Sequence, residues 1–311
     1  MMTYKDSPLK VPIFPEFRPL ELADREFIHD FFWHYQPETS ELTFTNLFIW
    51  RAHYGFAWSL DRDWLLIISQ NPERGGWALP PVGPPGRTEV SRRLLTWLKE
   101  EKGSAYPSIQ RADRRLAEEL ASSQEFTAEP QRDHFDYVYL TPDLINLAGN
   151  RYHSKRNYLH TFERSHQFSY EPLEERHLPA CRELAGAWCS LKRCEEDLNL
   201  MGEWEAVGAA LEHFRALKLT GVVILLNGKV EAFTVGELLN RETAVVHLEK
   251  ANADIRGLYA VINQRFCQEA WAGVPFINRE QDLGEPGLRE AKLSYHPARL
   301  VEKFSLSLAG N

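Results

Sequence analysis

Residues 221–249 read GVVILLNGKVEAFTVGELLNRETAVVHLE. This pattern predicts three consecutive strands, Gly221–Leu226, Lys229–Leu238 and Ala244–Glu249. Asn227-Gly228 joins the first two and is a strong hairpin signal, because both turn positions need a positive φ. Upstream, a strand at Phe168–Pro172 precedes helices near Glu175–Leu191 and Glu203–Leu217. Downstream, Leu258, Ile262, Phe266 and Ala270 recur every fourth residue and predict a helix over Gly257–Ala272. Pro275–Asn278 reads as a short strand. Pro286 suits the first turn of a short helix, Pro286–Leu293, and Leu300–Leu306 reads as a last strand.

The order strand, two helices, three antiparallel strands, helix, strand, helix, strand is that of the acyltransferase fold called GNAT. The first half carries helical spacing over Leu22–Tyr35 and Thr43–Tyr54. A hairpin follows, Phe56–Leu60 with Trp64–Ser69. Past a Gly/Pro-rich stretch that includes Gly75-Gly76 and Gly83-Pro84-Pro85-Gly86, helices are expected near Thr88–Lys102 and Ala112–Ser122, then a strand His134–Leu140. These elements fit a degraded second copy. The expected fold class is α/β with mixed sheets, as two GNAT-like acyl-CoA N-acyltransferase domains in tandem. The expected domains are residues 1–145 and 146–311, with the candidate site in the second and a bound guest in the gap separating the two.

The 311 residues are 43% hydrophobic and 12% aromatic, which excludes a disordered chain and suffices for two cores. No apolar run approaches the roughly 20 residues that cross a bilayer, and residues 1–17 carry no secretion signal. Four cysteines without a CxxC pair fit a reducing cytoplasm. Cys189 and Cys194 are expected to be free buried thiols, with no zinc-site spacing and no metal site. The formal charge is −8: residues 1–150 hold 16 Lys and Arg against 22 Asp and Glu, and residues 151–311 hold 20 against 22. Such a balance argues against whole-surface attraction to tRNA or to anionic lipid. Residues 149–166 nevertheless carry +3.

Two stretches sharpen the reading. One is LAGNRYHSKRNYL, residues 147–159; the other is INREQDLGEPGLREAKLSYHP, residues 277–297. With TFTNLFIWR (43–51) and FTVGE (233–237), they resemble a bacterial family related to the C-terminal catalytic domain of phosphatidylglycerol lysyltransferase. The resemblance runs over nearly the whole chain. It implies a tandem GNAT fold shared with Fem-type peptidoglycan aminoacyltransferases, whose members move an aminoacyl group from a charged tRNA to a lipid hydroxyl or a peptide amine. Fold kinship does not fix a substrate, so the site must carry that argument.

In the second stretch Asn278, Glu280 and Asp282 alternate, and an extended backbone aims them to one side. Leu288, Lys292 and Tyr295 share one helical face. Arg289 precedes Lys292 by three, and together they form a candidate cation pair for a phosphate or an ester carbonyl. The resemblance also implies a role for Lys292, since the related domain carries a lysine in a similar GL-R-x-x-K context. An ammonium there stabilises the oxyanion formed when an ester is attacked. Lys292, Arg289, Asp282 and Glu280 are thus the catalytic candidates. Equally, Asp282 or Glu280 caps the helix or pairs with Arg289.

A helix over Arg151–Arg164 places Tyr152, Lys155, Leu159 and Phe162 on one stripe, with Arg156 on an adjacent face. Lys155 and Arg156 form a candidate clamp for an anionic lipid, peptide or small-molecule acceptor; the bland alternative is a solvated helix. Glu237 and Glu249, acids near the ends of central strands, are candidates for a general base or for binding an amine, and pairing with Lys292, Arg289 or Arg256 fits them equally well. The GNAT phosphate loop, Q/R-x-x-G-x-G/A, aligns with Asp254-Ile255-Arg256-Gly257-Leu258-Tyr259, where Gly257 alone matches. Arg256 and Gly257 remain a weak cofactor site for some anion. Acyl-CoA therefore ranks below aminoacyl-tRNA as donor. A non-catalytic anion-binding protein on the same fold is the alternative.

Overall fold

The computed structural model describes residues 10–71, 76–192, 194 and 197–310. Residues 1–9 of the N-terminal stretch searched for a signal, and Gly75 of the Gly/Pro-rich stretch, lie outside them. Contacts divide the chain into two compact units, Met1–Arg132 with Glu302–Asn311, and Asp133–Val301.

The first unit contains β1 (Arg18–Pro19), α1 (Arg25–Tyr35), α2 (Phe44–Ile49), α3 (Arg51–Tyr54), β2 (Phe56–Asp61), β3 (Trp64–Ser69), β4 (Trp77–Ala78), α4 (Thr88–Glu100), β5 (Ser108–Ala112), α5 (Arg114–Ala121) and β6 (Phe126–Pro130). The helix expected over Thr43–Tyr54 is divided at Trp50. Thr43 caps its start, accepting from the Asn46 amide. Ala112 ends a strand instead of opening a helix; Asp113 caps α5 by accepting from the Leu116 amide. Helix α4 buries Val90, Leu94, Leu95 and Leu98 against β-sheet residues Leu66, Ile68, Ile109 and Leu306, a stripe at the helical period.

The second unit contains β7 (Asp136–Leu140), α6 (Thr141–Asn146), α7 (His153–Ser165), β8 (Phe168–Pro172), α8 (Leu178–Lys192), α9 (Leu198–Glu212), β9 (Thr220–Leu226), β10 (Lys229–Leu238), β11 (Thr243–Ala251), α10 (Leu258–Ala270), β12 (Phe276–Asn278), α11 (Pro286–Leu293) and β13 (Arg299–Val301). Strand β14 (Phe304–Leu308) returns to the first unit. The expected last strand, Leu300–Leu306, is therefore two strands serving two sheets.

The sheet orders are β1-β2-β3-β4-β5-β14-β6 and β13-β7-β12-β11-β10-β9-β8. Each sheet holds one parallel pair, β4 with β5 and β11 with β12. In chain order β1–β7 and β8–β14 are two runs of seven, and each sheet takes one strand from the other run: β14 inserts between β5 and β6, and β7 between β12 and β13. The two units thus repeat one plan with reciprocally exchanged strands, a tandem GNAT-like α/β fold. Among the described residues no helix is long and apolar enough to cross a membrane.

Cys189 and Cys194 are paired as a disulfide, with Cα atoms 5.2 Å apart. That separation lies within the range a disulfide spans. This corrects the expectation of free thiols there and removes the cysteine argument for a reducing compartment. Cys181 and Cys267 are the buried free thiols.

Candidate functional site

Strands β11 and β12 run parallel only from Thr243↔Phe276 to Val245↔Asn278. Beyond that point β12 stops while β11 continues to Ala251, so a parting opens at their carboxyl ends, where ligands of α/β sheets commonly sit. Two features shape it. The register between β10 and β11 jumps from Val235↔Leu248 to Gly236↔Val246, which makes His247 the extra residue of a β-bulge. Gly236 permits this, since a Cβ there would lie 2.3 Å from the Val245 carbonyl oxygen.

Side chains from the departing chain meet those of β11 across the parting. The Arg279 guanidinium donates to Glu249 at 3.0 Å, and Asn263 of α10 donates to the same carboxylate at 3.3 Å. Burial opposes the Arg279 charge, but Glu249 outweighs it and holds the guanidinium cationic above its ordinary value. Arg279 also lies over the rings of Tyr295 (5.1 Å) and Tyr139 (6.0 Å). His247 sits between two carboxylates, Nδ1 2.8 Å from Glu280 and Nε2 3.0 Å from Glu237. Burial lowers the imidazole pKa, yet the two glutamates more than reverse that and raise it to about 9. His247 is therefore an imidazolium at neutral pH and cannot serve as a general base there.

Beyond Asn278, residues 279–285 curl through a turn at 283–284 and do not continue the extended ribbon expected from alternation. Glu280, Leu283 and Gly284 have positive φ. The Asn278 side chain accepts from the Glu280 amide and donates to Asp136. Asp282 is fully buried and accepts two hydrogen bonds from Arg289, both at 2.8 Å, and further ones from Tyr137 and the Gly284 amide. Burial would raise its pKa, but these donors hold it well below the usual carboxylate range. Arg289 also pairs with Asp133 at 2.7 Å. Lys292, 9% exposed, turns inward and donates to the backbone carbonyls of Arg279 and Glu280. Burial, then Arg279, push its ammonium down to about 8.

The expected cation pair of Arg289 and Lys292 is thus divided, one serving Asp282 and Asp133, the other tying the turn. A depression of about 550 Å³ lies beside them, lined by Gly284, Pro286, Arg289, Glu290, Leu293 and Ser294; of the four catalytic candidates it receives Arg289 alone. Tyr152 is fully buried and donates to the Tyr295 carbonyl at 3.0 Å. Arg156 is spent on the carbonyls of Leu147 and Gly149. Lys155 rests on the Tyr295 ring, 4.1 Å from its centroid. Glu237 and Glu249 stand at the parting, paired with His247 and Arg279 in place of the Lys292, Arg289 or Arg256 that the sequence offered.

Sequence reasoning passed over His247 and Arg279. His247 sits within an apolar strand pattern that hides a bulge, and Arg279 follows Asn278 in a stretch read for its acids.

Arg256 stacks over Tyr158 at 5.2 Å. Gly257, with φ +92, approaches the backbone of α7: a Cβ would lie 2.6 Å from the Tyr158 carbonyl oxygen. The glycine of the phosphate-loop position therefore meets the protein's own chain. In the first unit the corresponding loop precedes α4, and the Glu119 carboxylate accepts from the Gly86 and Arg87 amides and from the Arg87 guanidinium. Among the described residues no His, Cys, Asp and Glu cluster fits a metal ion.

No curated protein sequence matches the chain. A crystal structure of a conserved protein of unknown function from Bacteroides thetaiotaomicron is 33% identical, covers 94% of this chain and 99% of its own, and superposes with a TM-score of 0.87. The C-terminal domain of a putative lysylphosphatidylglycerol synthetase from Agrobacterium fabrum is 14% identical, covering 94% and 93%, with a TM-score of 0.65. L-PGS from Bacillus licheniformis is also 14% identical, covering 93% and 93%, at 0.63. These last two likenesses are of fold. Residues 33–307 match the family of the phosphatidylglycerol lysyltransferase C-terminal region, and the chain belongs to that family.

Proposed function

We propose that the protein transfers an aminoacyl group from an activated ester donor, a charged tRNA, to a lipid, peptide or small-molecule acceptor, at the parting of β11 and β12. The observation that carries this reading is the set of carboxylates there, Glu249, Glu237 and Glu280, held by Arg279 and His247 at the carboxyl ends of the two parallel strands. Family membership and the transferase-like fold support the reaction class. The closed phosphate-loop positions weigh against acyl-CoA as donor.

In this reading the acceptor hydroxyl or amine attacks the ester carbonyl carbon. The bond from that carbon to the ribose oxygen breaks, and the acceptor's proton ends on the leaving oxygen. The ammonium of the aminoacyl group takes the Glu249 oxygen that Asn263 holds, and Arg279, which keeps Glu249 through one nitrogen, turns another to the charge that develops on the carbonyl oxygen. Lys292 and Asp282 hold the turn that presents Arg279 and Glu280; Arg289 holds Asp282. A charged-tRNA donor places the reaction in the cytoplasm.

The test is to supply a radiolabelled pool of charged tRNAs with phosphatidylglycerol vesicles or amine acceptors. Wild type is expected to move label, and Glu249→Gln to do so at least about a hundredfold more slowly, a loss of roughly 3 kcal/mol. Equal rates for the two proteins overturn the site. Lys292→Ala unties two carbonyls and is expected to lower stability as well as rate.

A second reading, ligand binding without transfer, is favoured by one observation: Arg279, Glu280, Asp282, Arg289 and Lys292 all have their charges satisfied by partners within the protein. Wild type that retains charged tRNA but moves no label to any acceptor would favour it.

A further inference from the structure

The cations around the parting divide into spent and unspent. Arg279 is closed on Glu249, Arg289 on Asp282 and Asp133, Arg151 on Asp143, and Arg156 on two carbonyls. Lys155 is half-buried and makes no hydrogen bond or ion pair with the described residues; the tyrosine ring is its partner. Burial, then the like charge of Arg279, lower its pKa. A partly desolvated ammonium beside a second cation is costly, and a ring face offsets only part of that cost.

Tyr295 supplies the second observation. It is 7% exposed, and its ring is fixed through its backbone: the carbonyl accepts from Tyr152 and the amide donates to Lys292. Its hydroxyl has no hydrogen-bond partner among the described residues and is not one of the side-chain atoms sealed from solvent, so a ligand can reach it. Glu249, the nearby acid, is taken by Arg279 and Asn263 and does not neutralise Lys155.

We propose that Lys155 and the Tyr295 hydroxyl form an anion subsite for a phosphate. An ammonium point charge and a hydroxyl approaching from different directions suit a tetrahedral oxyanion, whereas the planar fork that favours carboxylates, Arg279, is already closed. Within the transfer reading, on which its place in the reaction rests, this phosphate belongs to the acceptor, either as a lipid headgroup or as a soluble phosphate.

Inorganic phosphate is titrated into the whole protein at low salt by calorimetry, without any donor. Wild type is expected to bind, Lys155→Met to bind about tenfold or more weakly, Lys155→Arg to stay within about threefold, and Tyr295→Phe to fall between them. A thermal midpoint for Lys155→Met at or above that of wild type would accompany the loss, since the substitution keeps the apolar stem and removes the desolvated charge.

Vesicles of phosphatidylglycerol, with phosphatidylcholine as control, then separate the sources. Displacement of phosphate by the anionic vesicles assigns a lipid headgroup, and phosphate binding without displacement assigns a soluble ligand; both support the subsite. No phosphate binding by wild type, or unchanged affinity in Lys155→Met, overturns it. A Lys155→Met protein that loses transfer yet binds phosphate normally overturns the subsite and leaves the transfer reading standing. Wild type that binds phosphate but moves no aminoacyl label does the reverse.

Discussion

The two units share a strand order, a parallel pair and an exchanged seventh strand, yet they use the position after the fourth strand differently. In the first unit the amides before α4 hold a carboxylate of the same unit, Glu119. In the second, Gly257 is packed against the α7 backbone. One closes the phosphate-loop position with charge, the other with close packing. The second unit alone adds a bulged histidine between two acids and a buried Arg279–Glu249 pair across its parted strands. Duplication has left one scaffold with two divergent interiors, and the polar chemistry described at the parting belongs to the second.

The largest expected effect breaks that difference. Arg279→Ala strands a buried Glu249 and is expected to cost about 3–5 kcal/mol in urea unfolding. A cost under 1 kcal/mol would mean the pair is solvated.

Next comes pH. The His247 pKa is raised on folding, so its contribution is complete below the unfolded value of about 6.5 and is lost as pH rises towards about 9. That contribution is roughly 3 kcal/mol. The Lys292 pKa is lowered to about 8, so its burial penalty is relieved as pH rises from there towards the unfolded value. The two trends oppose each other above pH 8, and the interval from 6.5 to 8 isolates His247. Stability should fall across that interval in wild type and stay flat in His247→Gln; parallel curves would remove the histidine from the account.

The two glycines give a smaller contrast. Gly257→Ala meets both a positive φ and the Tyr158 carbonyl, so about 2–4 kcal/mol is expected. Gly86→Ala has φ +93 but nothing within 4 Å, so about 1 kcal/mol is expected. Equal midpoints for the two variants would contradict closure by packing in the second unit. Smallest is Glu119→Gln, which weakens the hydrogen bonds to two amides and Arg87 for about 1 kcal/mol, measured by the same unfolding curves.

Much of the second unit is legible in its sequence because its signals are local. Asn227-Gly228 specifies a hairpin, the four-residue spacing from Leu258 specifies α10, and Pro286 opens α11. The first unit hides β1 and β4, two residues each, which are too short for a periodic signal. The exchange of β7 and β14 is set by pairing between segments more than a hundred residues apart, and no local pattern encodes it.

At the site, residue types were readable but their partners were not. Glu249 and Glu237 stand out as acids in apolar strands. Whether they meet Lys292 or Arg279 depends on a bulge at His247 and on a turn with positive φ at Glu280. The alternation of Asn278, Glu280 and Asp282 failed because the Asn278 and Asp282 side chains bond to neighbouring amides and curl the backbone.

The central claim is that this scaffold moves aminoacyl groups and not acyl groups carried on coenzyme A. Labelled charged tRNAs and labelled acetyl-CoA, offered to the purified protein with the same acceptors, test it most directly. The account predicts label on acceptor from the charged tRNAs and none from acetyl-CoA; transfer from acetyl-CoA alone would contradict it.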